Sequence, residues 1–119
     1  MYKRHIVGEI GEKIANKYLV ENGYQIIKKN FRCKQGEIDI IAKDKNEIVF
    51  VEVKARTNNN YGAPIDAVTY LKRKHMLKTI KYYLFLNKLE NNFIRIDVIE
   101  IYNKNNKYFV HHIKNVIDF

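Results

Sequence analysis

Residues Gly36 to Arg56 read GEIDIIAKDKNEIVFVEVKAR. Two apolar runs, GEIDIIA and EIVFVEVKAR, flank the polar turn KDKN, which predicts an antiparallel hairpin. Side chains alternate along a strand, so Val49, Val51 and Val53 share one face and Phe50, Glu52 and Lys54 share the other. Glu37, Asp39 and Ile41 fall together on the partner strand. With the turn centred near Lys45 and Asn46, Asp39 lies across from Glu52 and Glu37 across from Lys54, to within a residue or two. Three carboxylates and a lysine then gather at one end of one face of the sheet.

Two carboxylates placed opposite each other repel. Burying an uncompensated ion costs on the order of several kcal/mol. Lys54 can offset part of this, and a bound divalent cation can offset the rest. Mg²⁺ suits one or two carboxylates completed by waters and substrate phosphates. A cross-strand ion-pair network, Glu37 with Lys54 and Asp39 with a distant base, is the alternative without a function. Against it, Glu52-x-Lys54 is the only Asp/Glu-x-Lys triplet in the chain, and it falls in the most apolar strand.

Working outward, Val7, Ile10, Ile14 and Tyr18 recur at helical spacing and predict an amphipathic helix over about 6–22. ENG closes it, with Gly23 suited to the left-handed cap. YQIIKKNFR is a further strand. TNNNYGAP is a polar loop whose Pro64 suits the first turn of a long helix. That helix runs from Ile65 to Leu89, with Val68, Leu71 and His75 on one side. NFIRIDVIEIY alternates as a strand with Ile94, Ile96 and Val98 on one face; NKNNK turns the chain into a last, shorter strand, YFVHHI. The order α-β-β-β-α-β-β is that of a mixed α/β sheet. Its first three strands can meander, and its long helix must carry the chain across the sheet.

The 119 residues are 46% hydrophobic, enough for one core, so a single domain over 1–119 is expected and disorder is excluded by composition. Lys and Arg outnumber Asp and Glu, 22 to 13, for a net charge of +9. Such a balance points to a polyanion partner, most often nucleic acid. A basic soluble protein needs no ligand, however, and AT-rich codons favour the same Lys, Asn, Ile and Tyr. Cys33 is the single cysteine, which excludes an intramolecular disulfide and any metal site built from several cysteines. No stretch has the apolar core of a signal peptide or the length of a membrane span, so a cytoplasmic location without membrane contact is expected.

The hairpin resembles the PD-(D/E)XK nuclease superfamily, and the whole chain is similar to the YraN-like family of small bacterial proteins. The stretches that carry the likeness are GEIGEKIANKYLVENGYQII, NFRCKQGEIDIIAKD, IVFVEVKAR, YGAPIDAVTYLKRK and HHIKNVIDF, in order along nearly all of the chain. No proline precedes Asp39, where the superfamily name places one. The resemblance implies a restriction-endonuclease-like αβββαβ core with a mixed central sheet flanked by helices. It implies an endonuclease that hydrolyses phosphodiester bonds with Mg²⁺, or Mn²⁺ in its place. DNA is the expected substrate, including branched or junction DNA. Asp39 and Glu52 are then metal ligands with the Val53 carbonyl as a further one, Lys54 orients or activates the attacking water, and Glu12 completes the catalytic set.

Glu12 lies near the edge of the first helix's apolar stripe and Glu9 on the opposite side, so Glu9 is read as surface. Arg56, Lys72 and Lys74 are the expected nucleic-acid contacts within a basic stretch that also includes Arg73, Lys78 and Lys81. His111 and His112 are adjacent in a strand, point to opposite faces, and are read as structural. Most tyrosines are assigned to the core or its rim. Two rival functions remain open: a non-catalytic nucleic-acid-binding module, and a protein-interaction subunit using its sheet edge. A two-fold dimer would suit a branched substrate, though no residue demands one.

Overall fold

The computed structural model describes residues 2–56 and 70–116, with side chains from 8 to 56 and from 71 to 116. The expected Pro64 helix start, Val68 and the TNNNYGAP loop lie outside the described residues. Chain order is α1 (Tyr2–Glu21), β1 (Gln25–Cys33), β2 (Gly36–Asp44), β3 (Glu47–Arg56), α2 (Tyr70–Leu86), β4 (Phe93–Lys104) and β5 (Lys107–Ile113). The strands form one five-stranded sheet in the order β1-β2-β3-β4-β5. All neighbours are antiparallel except β3 and β4, which run parallel. The architecture is compatible with the expected αβββαβ core, extended by β5.

Helix α1 packs on β1, β3 and β4, and α2 packs on β2. Each helix closes its own apolar layer. On one face, Ala15 and Leu19 of α1 meet Val49, Val51, Ile99 and Ile101. On the other, Met76, Ile80 and Tyr83 of α2 meet Phe50, Ile96 and Val98. Full burial of a side chain such as Phe50 contributes roughly 1.5–3 kcal/mol. Small residues let α1 approach closely: a Cβ at Gly11 would lie 3.2 Å from the Ala55 Cβ.

The buried stripes of both helices differ from those expected. Ile10 is exposed, the expected Ile14 and Tyr18 pack half-buried against the core, and Gly11, Ala15 and Leu19 are the fully buried α1 contacts. In α2, Leu71 and His75 are exposed, and the buried side runs through Met76, Thr79, Ile80 and Tyr83. The spacing of apolar residues was ambiguous because both helices are apolar on more than one side. Cap chemistry was more reliable. Gly23 has φ 88°, and Tyr24 N–H donates to the Leu19 carbonyl at 2.9 Å, closing α1 in the left-handed turn that glycine permits. Helix α2 ends at Leu86 rather than Leu89, because Lys88 turns left-handed and Leu89 N–H folds back on the Leu84 carbonyl at 2.8 Å.

Strand β1 is irregular. Its pairing with β2 slips between Ile26 and Lys28, and Asn30 has φ 54°. Ile40 packs on the α1 side, whereas Ile38 packs on the α2 side, so alternation along β2 breaks at Asp39. The β2–β3 hairpin has the expected turn, with pairing from Asp44↔Glu47 up to Ile40↔Val51. The pairing stops there, one step before Asp39 and Glu52.

Candidate active site

The site forms where β2 and β3 part. Beyond Ile40 and Val51 the ladder is replaced by a side chain: Val53 N–H donates to Asp39 Oδ2 at 2.8 Å. An extended residue turns its N–H and C=O to the same strand edge, so the Val53 carbonyl also faces β2. Asp39 and Glu52 line one cleft of about 360 Å³ on the α2 side, together with Glu37, Lys72 and His75. Asp39 also lines a second cleft of about 440 Å³ on the α1 side, with Glu12, Asn16 and Asn30. The parted strands therefore let one carboxylate be reached from both faces of the sheet.

Burial pushes the Asp39 carboxyl up to about 7, and the nearby charge of Glu52 adds to this; the Val53 N–H opposes it. Glu12 and Glu37 contribute in the same direction as Glu52. Burial also raises Glu12, against a hydrogen bond from Asn30. Glu52 is nearly enclosed, its side chain 10% exposed, and its Oε1 accepts from Lys72 Nζ, with Lys54 Nζ at 3.5 Å. Burial and the neighbouring Lys72 lower the Lys54 pKa, while Glu52 opposes them. Lys72 ends above its ordinary value: burial pulls it down most strongly, but the bond and charge of Glu52, the bond to Lys54 and the charge of Asp39 together outweigh that.

Of the residues singled out from the sequence, Asp39, Glu52 and Lys54 come together with Lys72, and Glu12 approaches Asp39 from α1. Glu37 sits at the rim, exposed and bonded to Arg32 at 3.0 Å, rather than across from Lys54. Lys72, expected to contact nucleic acid, reaches into the cleft and holds Glu52. Lys74 is exposed on α2. Arg56 is tied to Glu100 at 3.3 Å. His111 and His112 do face opposite sides: His112 bonds Asp97 at 2.7 Å and Tyr18 at 3.0 Å, and His111 bonds Glu100 at 3.3 Å.

Sequence reasoning missed Arg95, Asp97 and Glu100, all buried in β4. The signal was available, since charges inside the apolar run NFIRIDVIEIY are as anomalous as Glu52 in its own strand.

Among the described residues, no three Asp, Glu, His or Cys side chains converge as a protein-only metal cage. The donors present still fit a hard cation that keeps several waters. Two carboxylates and a strand-edge carbonyl offer oxygen donors, and Asp39 is raised by burial and then by the charge of Glu52, both of which a bound cation would offset.

Asp39 also sets a stability expectation. Its carboxyl is held near about 7 against an ordinary 3.8, so the metal-free folded state keeps a proton that the unfolded chain has lost. Stability therefore falls as pH rises between these values and stays reduced above them. Asp39→Asn removes the buried charge and keeps an oxygen for the Val53 N–H. At pH 8 in chelator it should stabilise the protein by about 2 kcal/mol, a figure reduced for partial exposure, with little difference at pH 4. Urea midpoints at the two pH values test this; equal midpoints at pH 8 would refute it.

The fold and cleft define a small α/β protein whose parted hairpin presents two carboxylates beside two lysines. A model described as Uncharacterised protein family UPF0102 matches residues 11–101. The chain belongs to that family, the YraN-like family. It is similar to a UPF0102 protein of Clostridioides difficile strain 630, 50% identical over 95 residues, 80% of this chain and 83% of the relative. One from Clostridium botulinum strain Loch Maree is 48% identical over 112 residues, 92% and 91% of the two chains. One from Caldanaerobacter subterraneus subsp. tengcongensis is 43% identical over 112 residues, 94% and 92%. No helix among the described residues is long and apolar enough to cross a membrane.

Proposed function

We propose that this protein is a Mg²⁺-dependent nuclease of PD-(D/E)XK type that hydrolyses phosphodiester bonds in DNA. The observation that carries the reading is the Asp39–Glu52 pair at the split between β2 and β3, with Lys54 beside Glu52. Asp39, Glu52 and the Val53 carbonyl would hold the cation, with Mn²⁺ as a substitute. When bound, the metal neutralises phosphate charge and lowers the pKa of a coordinated water.

The chain's own residues do the rest. Lys54, with its pKa lowered by burial, orients the attacking water and stabilises negative charge as it develops on the phosphate. Lys72 pairs with Glu52 and fixes its carboxylate. Glu12 adds a third acid to Asp39 from the α1 side. Exposed Lys74 supplies a phosphate contact outside the cleft.

A second reading has an observation of its own. Glu52 already meets two ammonium groups, so its charge is balanced without metal, as a non-catalytic nucleic-acid-binding module would require. A cleavage screen over branched, linear and single-stranded DNA, with Mg²⁺, Mn²⁺ or chelator, separates the two. Metal-dependent cleavage supports the nuclease. Tight binding with no cleavage of any substrate overturns it in favour of the module.

Binding should also be salt-sensitive. For duplex DNA, log affinity should fall against log salt by about 0.9 for each phosphate neutralised, and Lys74→Ala should lower that slope by about one contact. A slope near zero in a salt titration would remove nucleic acid as the partner.

A further inference from the structure

Beyond the cleft, the α2-side face of the sheet continues as two cross-strand rows. Lys54, Glu100 and His111 are register partners across β3, β4 and β5, and Arg56, Tyr102 and Phe109 form the next row. Alternation places all six on the face that carries Phe50 and Val98, because Val110 packs on the α1 side and His112 bonds Tyr18 there. The rows thus begin at Lys54, inside the proposed site, and lead away from it.

Glu100 organises them. Its side chain is 0% exposed, yet it accepts from Tyr102 at 2.7 Å, from Arg56 Nη2 at 3.3 Å, and pairs with His111 Nδ1 at 3.3 Å. A buried carboxylate without partners would be costly. This one is satisfied by a guanidinium, an imidazole and a phenol hydroxyl, and it fixes their directions. His111 keeps Nε2 clear of Glu100, and its side chain is 56% exposed. Beside it Phe109 is 52% exposed, an aromatic ring with little apolar cover. Basic groups set at strand spacing next to an exposed ring match the chemistry of an unpaired nucleic-acid strand. Phosphates meet the charges, and a base face meets the ring.

We propose that the Lys54–His111 and Arg56–Phe109 rows bind a single-stranded segment of the substrate next to the scissile phosphate, with a base stacked on Phe109. This rests on the nuclease reading for the choice of nucleic acid as ligand and for the place of the scissile phosphate. It makes His111 a phosphate contact rather than a purely structural residue. It also names the substrate class as DNA with an unpaired strand beside the cleavage point.

The test is binding in chelator at fixed moderate salt, using a labelled oligothymidylate and a blunt duplex of equal length. Wild type is compared with Phe109→Ala and His111→Ala, both at exposed positions, with urea midpoints reporting that the variants fold. Phe109→Ala should weaken single-strand binding by about tenfold and leave duplex binding within about twofold. His111→Ala should weaken the same ligand as well, by removing the exposed imidazole from the row. Unchanged single-strand affinity in folded Phe109→Ala overturns the proposal, as does equal weakening for both ligands. Asp39→Ala separates the two readings: it should keep single-strand binding whether or not the wild type cleaves. Loss of cleavage in the screen alone therefore leaves this surface standing, and loss of single-strand preference alone leaves the nuclease standing.

Discussion

Asp39→Ala and Glu52→Ala should each reduce Mg²⁺-dependent cleavage by on the order of a thousandfold, without reducing DNA affinity in chelator. Both carboxylates must approach a negatively charged phosphate. Without metal they repel it, so their removal leaves binding unchanged or slightly stronger. On the nuclease reading they would hold the cation that makes the approach favourable. The structure separates the two variants further. Glu52→Ala strips Lys72 and Lys54 of their shared acceptor and leaves two ammonium groups facing each other, so metal-free DNA affinity should rise more than for Asp39→Ala. Lys54→Ala should lose most cleavage and weaken binding a little. The measurement pairs cleavage rates in Mg²⁺ with affinities in chelator for each variant. Equal cleavage by wild type and both carboxylate variants would mean that the assigned residues are not the site.

The largest stability loss should come from Arg95→Ala, by about 3–5 kcal/mol. Arg95 grips Asp97 at 2.9 and 3.1 Å, Asp44 at 3.1 Å, Glu47 at 3.0 Å and the Tyr24 hydroxyl at 2.7 Å. It joins β4 to both ends of the β2–β3 turn. Asp97 is 0% exposed and would keep only His112 and the Asn115 N–H. Burial would then govern Asp97, whose pKa is now held down against burial by bonds from His112 and Arg95. A depressed carboxylate stabilises the fold above its unfolded pKa, and that contribution is lost as pH falls through the folded value. The penalty should accordingly be largest near neutral pH and shrink in acid. Replacing both partners, Arg95→Met with Asp97→Leu, should cost clearly less than Arg95→Ala alone, since no buried charge is stranded. Urea unfolding at pH 7 and pH 4 reads wild type and both variants. An Arg95→Ala protein as stable as wild type would show the cluster to be energetically idle.

The hairpin was legible because its turn and its alternation are local properties. The polar KDKN break set the pairing that is observed from Asp44↔Glu47 to Ile40↔Val51. Reading that register onward correctly brought Asp39 and Glu52 together, but it put Glu37 opposite Lys54, where the strands have already parted. No local pattern foretold the parting, at which Asp39 takes the Val53 N–H in place of a ladder bond. Lys72 on Glu52 joins residues far apart in sequence, so it was visible only as one basic residue among several. The helix stripes failed for a different reason. Leu71, Tyr82, Phe85 and Leu86 are exposed, so α2 offers more apolar surface than the sheet takes, and periodicity alone could not select the buried side.

The irregularity of β1 has a consequence for how this sheet behaves in a crowded solution. A regular edge strand is a template on which another chain can add its own strand. Here the slip between Ile26 and Lys28, the paired lysines 28 and 29 and the left-handed Asn30 interrupt the outer row of amides. An incoming strand would lose register within a few residues and would meet positive charge. The distortion of β1 thus guards this edge of the sheet against uncontrolled strand-by-strand growth.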